Sequence, residues 1–323
     1  MNTRRQFLKA ALAVSATYPL PLLAAGSSAK KIRIGMITDI HKDLVPDADE
    51  RLKAFMAAMD QVKADAIMQL GDFCQPKPAN RAFTDIFNAF TGPKYHVLGN
   101  HDMDGGFKRE QTMVFWSMQA RYYSFDLGGF HFIVLDGNDR PAGWKGGYPH
   151  YLADDQVAWL KEDLEKTKLS TFIFSHQSFE RPMCIDNQEA VRAILEAAKT
   201  PDGRRKVAAC FNGHWHIDHE RVINGIPYIH VNSASYYYMG GNWKKGKADP
   251  ELAKTFPLYA YNAGYKKPIF TMLEIDPAAG TFTMRGMKGE WDGPSPQELG
   301  YKSDEVENDW LKPSITEVKE RIS

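Results

Sequence analysis

Apolar positions along this chain follow two rhythms. Short runs dense in apolar residues end in polar loops, and between them apolar residues recur every three or four positions. Ile32–Ile37 reads as a first strand, and Leu52, Phe55, Met56 and Met59 fall on one face of a helix. A strand over 66–70 follows, then a helical stripe of Phe83, Ile86, Phe87 and Phe90, then a strand over 95–98. Further strands are predicted over 130–135, 171–175, 207–211 and 228–231. Val157, Leu160 and Leu164 mark a helix for which Asp154 is the expected N-cap, and Val191, Ile194, Leu195 and Ala198 mark another. Strands alternating with helices predict an α/β domain with a largely parallel sheet under helical cover. The helical stripes are core.

Past about residue 240 the rhythm changes. Segments 268–275 and 281–287, joined by Asp276-Pro277-Ala278-Ala279-Gly280, read as a β-hairpin, and 294–323 as a polar tail wrapping the surface. No internal repeat, low-complexity stretch or linker interrupts the chain. The expected organisation is a leader over 1–29, a catalytic domain over 30–240, and a hairpin and tail over 241–323 packed on that same domain.

The leader carries Arg4, Arg5 and Lys9 and no acid, followed by an apolar stretch over 10–25 interrupted by Pro19 and Pro21, then Gly26-Ser27-Ser28-Ala29. A charged start, an apolar middle and a small-residue end describe a signal peptide. Thr3-Arg4-Arg5-Gln6-Phe7-Leu8-Lys9 resembles the twin-arginine consensus, which implies folding before export and a periplasmic or secreted location. The apolar stretch is shorter than the roughly 20 residues a bilayer requires, so no stable membrane anchor is expected. The 323 residues carry 40 basic and 40 acidic side chains, and removal of the leader leaves a small acidic excess. No basic stripe offers a nucleic-acid footprint. A phosphate-bearing substrate would have to be held by something local.

Five polar clusters supply a candidate. Thr38-Asp39-Ile40-His41, Gly71-Asp72, Gly99-Asn100-His101-Asp102, Ser175-His176 and Gly213-His214-Trp215-His216 all stand at carboxyl ends of expected strands. Ligands of open α/β sheets collect outside those ends, so the five would share one rim. Asp, Asn and His without thiolates suit borderline or hard divalent or trivalent metals. Seven donors exceed what one tetrahedral ion uses and suit two ions sharing a carboxylate. Singly, Asp-x-His and Gly-Asp are common; the ordered set is what points to a metal site.

That ordered set resembles the signature of the calcineurin-like metallophosphoesterases, over roughly residues 32–235. The resemblance implies a four-layer α-β-β-α sandwich of two mixed sheets flanked by helices. It implies one metal on Asp39, His41, Asp72 and His216 and a second on Asp72, Asn100, His176 and His214, with Asp72 bridging. His101 matches the family's non-ligand histidine, which acts on the leaving oxygen. Two close cations sharing a water would lower its pKa and give a bridging hydroxide for attack on a small phosphorylated substrate. Iron, manganese and zinc all suit these donors.

Many relatives carry Asp or Asn three residues after the Asp of Gly-Asp, where it orients the catalytic histidine; this chain has Gln75 there. Purple acid phosphatases have a metal-binding Tyr at that position and lack the His of Asp-x-His, so Gln75 and His41 argue against them. The likeness is nearer to class III cyclic-nucleotide phosphodiesterases and manganese-dependent ADP-ribose or CDP-alcohol pyrophosphatases. A phosphodiester or nucleotide pyrophosphate substrate is therefore expected, with a broad phosphomonoesterase or a non-catalytic scaffold as alternatives. Around the clusters, Asp218, His219, His150 and Tyr236-Tyr237-Tyr238 are candidate substrate contacts, and the Gly105-Gly106 and Gly146-Gly147 pairs suggest loops over the rim. His96, His131 and His230 alternate inside strands and read as structural. Three cysteines are too few for a disulfide framework, although Cys74 and Cys184, both in loops near the site, are candidates for a bridge.

Overall fold

Side chains along a strand alternate between its faces, and in this chain both faces of most central strands are apolar. The computed structural model describes residues 30–180, 184–241, 243 and 254–322, so the leader over 1–29 lies outside it. Strands β1 (Ile32–Ile37), β2 (Ala66–Gln69) and β3 (Lys94–His96) run parallel in one sheet. A second sheet takes β4 (Tyr123–Leu127), β5 (Phe130–Val134), β6 (Thr171–Phe174), β7 (Val207–Asn212), β8 (His219–Ile223) and β9 (Ile226–His230) in the order β4-β5-β6-β7-β9-β8. Its centre is parallel, and the two outermost pairings, β4 with β5 and β8 with β9, are antiparallel.

Strands β10 (Tyr236–Tyr238) and β11 (Asn262–Gly264) form a small ribbon. The expected hairpin is present as β12 (Thr271–Asp276) and β13 (Thr281–Met284), and β12 pairs antiparallel with β1. The polar tail does more than wrap the surface. It pairs β14 (Met287–Lys288) with β15 (Ser314–Ile315), and β16 (Val318–Arg321) becomes an edge of the first sheet, ordered β16-β13-β12-β1-β2-β3. Only Val318 of β16 is buried, so the segment lacks the apolar pattern by which a strand is read.

Among the described residues five α-helices flank the sheets: α1 (Ala48–Val62), α2 (Arg81–Asn88), α3 (Arg109–Trp116), α4 (Asp154–Lys166) and α5 (Gln188–Ala197). Asp154 does not cap α4; Ala153 holds the cap position, and Asp154 and Asp155 sit in the first turn, where they oppose the positive end of the helix dipole. Three apolar layers result. Ile34, Met36, Met68, Phe132, Phe172, Phe174, Phe211 and Leu273 meet between the sheets. Ile37, Ile67 and Leu98 pack under α1, α2 and α3, and Ile133, Ile173 and Tyr228 under α4 and α5. The alternation alone suggests one largely parallel sheet; the structure has two mixed sheets face to face with helices outside, the four-layer sandwich that the family resemblance implied. Among the described residues no helix is long and apolar enough to cross a membrane.

Candidate metal centre

The face-to-face packing brings the carboxyl ends of β1, β2 and β3 against those of β6 and β7. Backbone bonds continue past the strands and lock these ends together. Asp39 N–H donates to Gly71 O at 3.0 Å, His41 N–H to Asp72 O at 2.9 Å, and Gly213 N–H to His176 O at 3.1 Å. Glycine is required where the loops touch: a Cβ on Gly99 would overlap the Asp72 backbone nitrogen and carboxylate, and one on Gly213 would overlap Thr38 and Asp39.

Six of the seven predicted donors converge here in two groups, and the seventh, Asn100, lines the same cavity. Asp39, His41 and His216 offer ligand atoms within 4.8 Å of one another, as do Asp72, His176 and His214. Asp72 Oδ2 stands between them, 3.1 Å from His176 Nε2 and 3.6 Å from His41 Nε2. Its other oxygen accepts the His101 backbone N–H at 2.8 Å. His216 Nε2 lies 3.1 Å from Asp39 Oδ1. Asp39, His41, Asp72, His214 and His216 all hold left-handed backbone, with φ between 50° and 72°. Each such residue costs on the order of 1–3 kcal/mol and persists only where its surroundings enforce it.

The arrangement fits resident metal ions. Nδ1 of His176 donates to Leu70 O at 2.9 Å and Nδ1 of His216 to Tyr236 O at 2.7 Å, which leaves each Nε2 to face the cluster as a metal-binding histidine requires. Asn100 Oδ1 is buried without a hydrogen-bond partner among the described residues, an orphan acceptor that a cation would satisfy. Burial pushes His41 and His214 down to about 3, so both rings are neutral with lone pairs available. Burial opposes charge on His176 as well, but the Asp72 and Asp39 carboxylates overturn this and push it up to about 10. Burial raises Asp39, and the charges of His216 and His176 outweigh that and hold it at about 2. A charged imidazole here balances two carboxylates, as a bound cation would.

The other sequence candidates divide. His101 lies at the rim, its ring 5.1 Å from that of His41, with Nδ1 2.7 Å from Asp104 Oδ2. Tyr236 packs against His41 and His216, and Tyr237 against Tyr301. All three tyrosines and His150 line the cavity over the site. Asp218 and His219 do not. Asp218 accepts from Ser314 and Thr316 and so anchors the C-terminal tail, and His219 stacks on Trp310 at 3.9 Å. His96 is buried against Phe87 and Trp116. His131 sits between Asp126 and Asp163, and His230 donates to Glu180 at 2.7 Å. Cys74 and Cys184 form no bridge. Both are buried free thiols, Cys74 in the core under α2 and α3, while Cys184 Sγ accepts from Trp215 Nε1 at 2.7 Å.

Two residues gain roles that the sequence reading did not assign. Asp102, inside one cluster, accepts four backbone N–H groups from Gly99, Asp72, Phe73 and Cys74 and so fixes the loop carrying Asp72. Asp104 meets His101. The three-residue spacing from His101 to Asp104 was the available signal, since residues three apart eclipse in a 3₁₀ turn, and such a turn starts at His101 and breaks at Asp104.

Residues 32–218 match the Calcineurin-like phosphoesterase family, and the chain belongs to that family. It is a hydrolase of phosphoric esters built around a binuclear metal centre. The fold is shared with a dimetal phosphatase from Danio rerio at 16% identity, with a TM-score of 0.58, over 90% of this chain and 99% of that one. It is also shared with GAP50, the anchor in the inner membrane complex of Plasmodium, at 15% identity and a TM-score of 0.52, over 79% of this chain and 84% of the other. No curated protein matches the chain by sequence.

Proposed function

We propose that the protein hydrolyses phosphodiesters, or the phosphoanhydride of a nucleotide, at a pair of metals held by Asp39, His41, Asp72 and His216 and by Asp72, Asn100, His176 and His214. The convergence of the two donor groups on Asp72 carries this reading. Bound there, the metals supply an acidified water and positive charge for the phosphoryl oxygens. Asp39 and Asp72 would hold the pair in place, and the buried Asn100 amide oxygen would complete the second set. The His101 ring lines the cavity and is tied at Nδ1, which leaves Nε2 to give a proton to the departing oxygen, a contribution typically of 10²–10⁴-fold.

The cavity favours a substrate with an organic group on each side of phosphorus. Its volume of about 670 Å³ exceeds what a phosphate with one small substituent would fill. Trp215, Tyr237, Tyr238, Met239 and Leu258 give it an apolar wall. Three of the six exposed large apolar side chains among the described residues, Tyr148, Tyr238 and Leu258, stand on this cavity. Apolar side chains exposed together mark a binding surface.

Elemental analysis of protein purified without chelator should find two metals per chain, and bis-p-nitrophenyl phosphate should be cleaved in preference to p-nitrophenyl phosphate. The reverse preference would favour the monoesterase alternative. Asp72→Asn and His176→Ala should each lose metal and lower turnover by orders of magnitude; full metal and normal turnover in either would remove that residue from the centre. The leader supports a location outside the cytoplasmic membrane. Arg4→Lys with Arg5→Lys should then keep the protein in the cytoplasm, and unchanged fractionation would refute twin-arginine export.

A further inference from the structure

Relatives orient the rim histidine with an acid or amide three residues after the bridging Asp. Here that position is Gln75, whose backbone N–H donates to Asp43 Oδ2 at 2.8 Å and which has no hydrogen bond to His101 among the described residues. Another carboxylate has taken the place beside the ring. Asp104 Oδ2 lies 2.7 Å from His101 Nδ1, brought there because Asp104 stands three residues on, where the 3₁₀ turn that begins at His101 ends in a kink. The turn that follows is set by Gly105, whose φ of 76° is unfavourable for other residues. Tyr148 completes the group from the loop after β5. Its hydroxyl lies 2.9 and 3.1 Å from the two Asp104 oxygens and 3.0 Å from His101 Nδ1, and its ring packs 4.7 Å from the imidazole.

We infer that Asp104 and Tyr148 are the positioning residues for His101, replacing the contact that the third residue after Asp72 makes in relatives. A carboxylate has no proton to donate, so His101 Nδ1 carries its hydrogen toward Asp104, and the exchangeable site of the ring is Nε2. Tyr148 donates its single hydroxyl proton to Asp104, a second contact that holds the carboxylate beside the imidazole. The loop bearing Tyr148 contains Gly143, Gly146 and Gly147, all at positive φ, and this contact ties its tip to Asp104. This inference rests on His101 serving the leaving group.

The test compares p-nitrophenyl and phenyl esters of methyl phosphate in the metal-loaded full chain, for Asp104→Asn, Tyr148→Phe and His101→Ala. The p-nitrophenolate leaves without a proton, whereas phenolate benefits from one. All three variants should keep two metals and near-parental KM. Asp104→Asn should lose roughly ten- to a hundredfold in kcat on the phenyl ester, part of what a general acid supplies, and little on the p-nitrophenyl ester. Tyr148→Phe should lose less, in the same pattern. Equal losses on both esters, or loss of metal, would show a structural role and overturn the inference. If His101→Ala is selective for the phenyl ester and Asp104→Asn is not, the positioning role alone fails. If His101→Ala is not selective, the assignment of His101 fails and takes the inference with it.

Discussion

Asp102→Asn changes the shape of a side chain hardly at all, so its consequence can be worked from hydrogen bonds. Asp102 is 1% exposed. Its Oδ2 accepts from Asp72 N–H at 3.0 Å and Gly99 N–H at 2.8 Å, and its Oδ1 from Phe73 N–H at 2.7 Å and Cys74 N–H at 3.1 Å. An asparagine keeps one acceptor oxygen. Its amide nitrogen must face the other two donors, leaving two buried N–H groups unpaired and three donors in opposition. Each orphan costs about 1–3 kcal/mol, so the substitution should cost roughly 2–6 kcal/mol. In a chain of this size a kilocalorie moves the midpoint by about 2–4 °C, so Tm should fall by at least about 4 °C. The strain lands on the loop of Asp72, so metal should be lost as well. Thermal unfolding of the metal-loaded variant, followed by metal analysis after dialysis, reads both effects. A variant that melts within about 1 °C of the parent and keeps both metals would refute the reasoning.

Gly99→Ala should disrupt the centre without touching a ligand, because its Cβ would overlap Asp72 at both backbone and carboxylate; metal per chain should drop, and retention of two metals would contradict it. His131 tests electrostatics away from the centre. Burial lowers its pKa, but the carboxylates of Asp163 and Asp126, at 2.8 and 2.6 Å, outweigh this and hold it above the usual histidine value. A raised folded pKa stabilises fully below the unfolded value, near 6.5, and that contribution is lost as pH rises through the folded pKa. His131→Gln should therefore destabilise more at pH 6 than at pH 9, measured by urea unfolding, and equal cost at the two pH values would refute the ion pairs.

How much was legible in the sequence depended on how far apart the interacting residues lie. Asp39-x-His41, Gly99-Asn100-His101 and Gly213-His214-x-His216 could be read because each motif is local and ends an apolar strand, and strand ends gather on one rim whatever the loops do. Asp104 was only half legible: its spacing from His101 is local, but the preference for it over Gln75 depends on a turn at Gly105 and on Tyr148 arriving from 44 residues away. Asp102 was hidden for a similar reason, since its partners Asp72, Phe73 and Cys74 belong to another strand end.

By itself the sequence determined the strand and helix rhythm, the family and the chemical type of the centre, because apolar periodicity and metal-ligand identity are properties of single segments. The two mixed sheets were implied by the family resemblance and not by the rhythm itself; only the tertiary structure decided that β16 closes an edge of the first sheet and that Asp218 and His219 serve the tail. It also left Cys184 to Trp215 instead of Cys74, and joined Tyr236, Tyr237 and Tyr238 to Leu258 and Tyr301 around one cavity. Those outcomes are pairings between distant segments. Which partner wins is set by register and by the burial that each alternative leaves, and neither is encoded within any one stretch of chain.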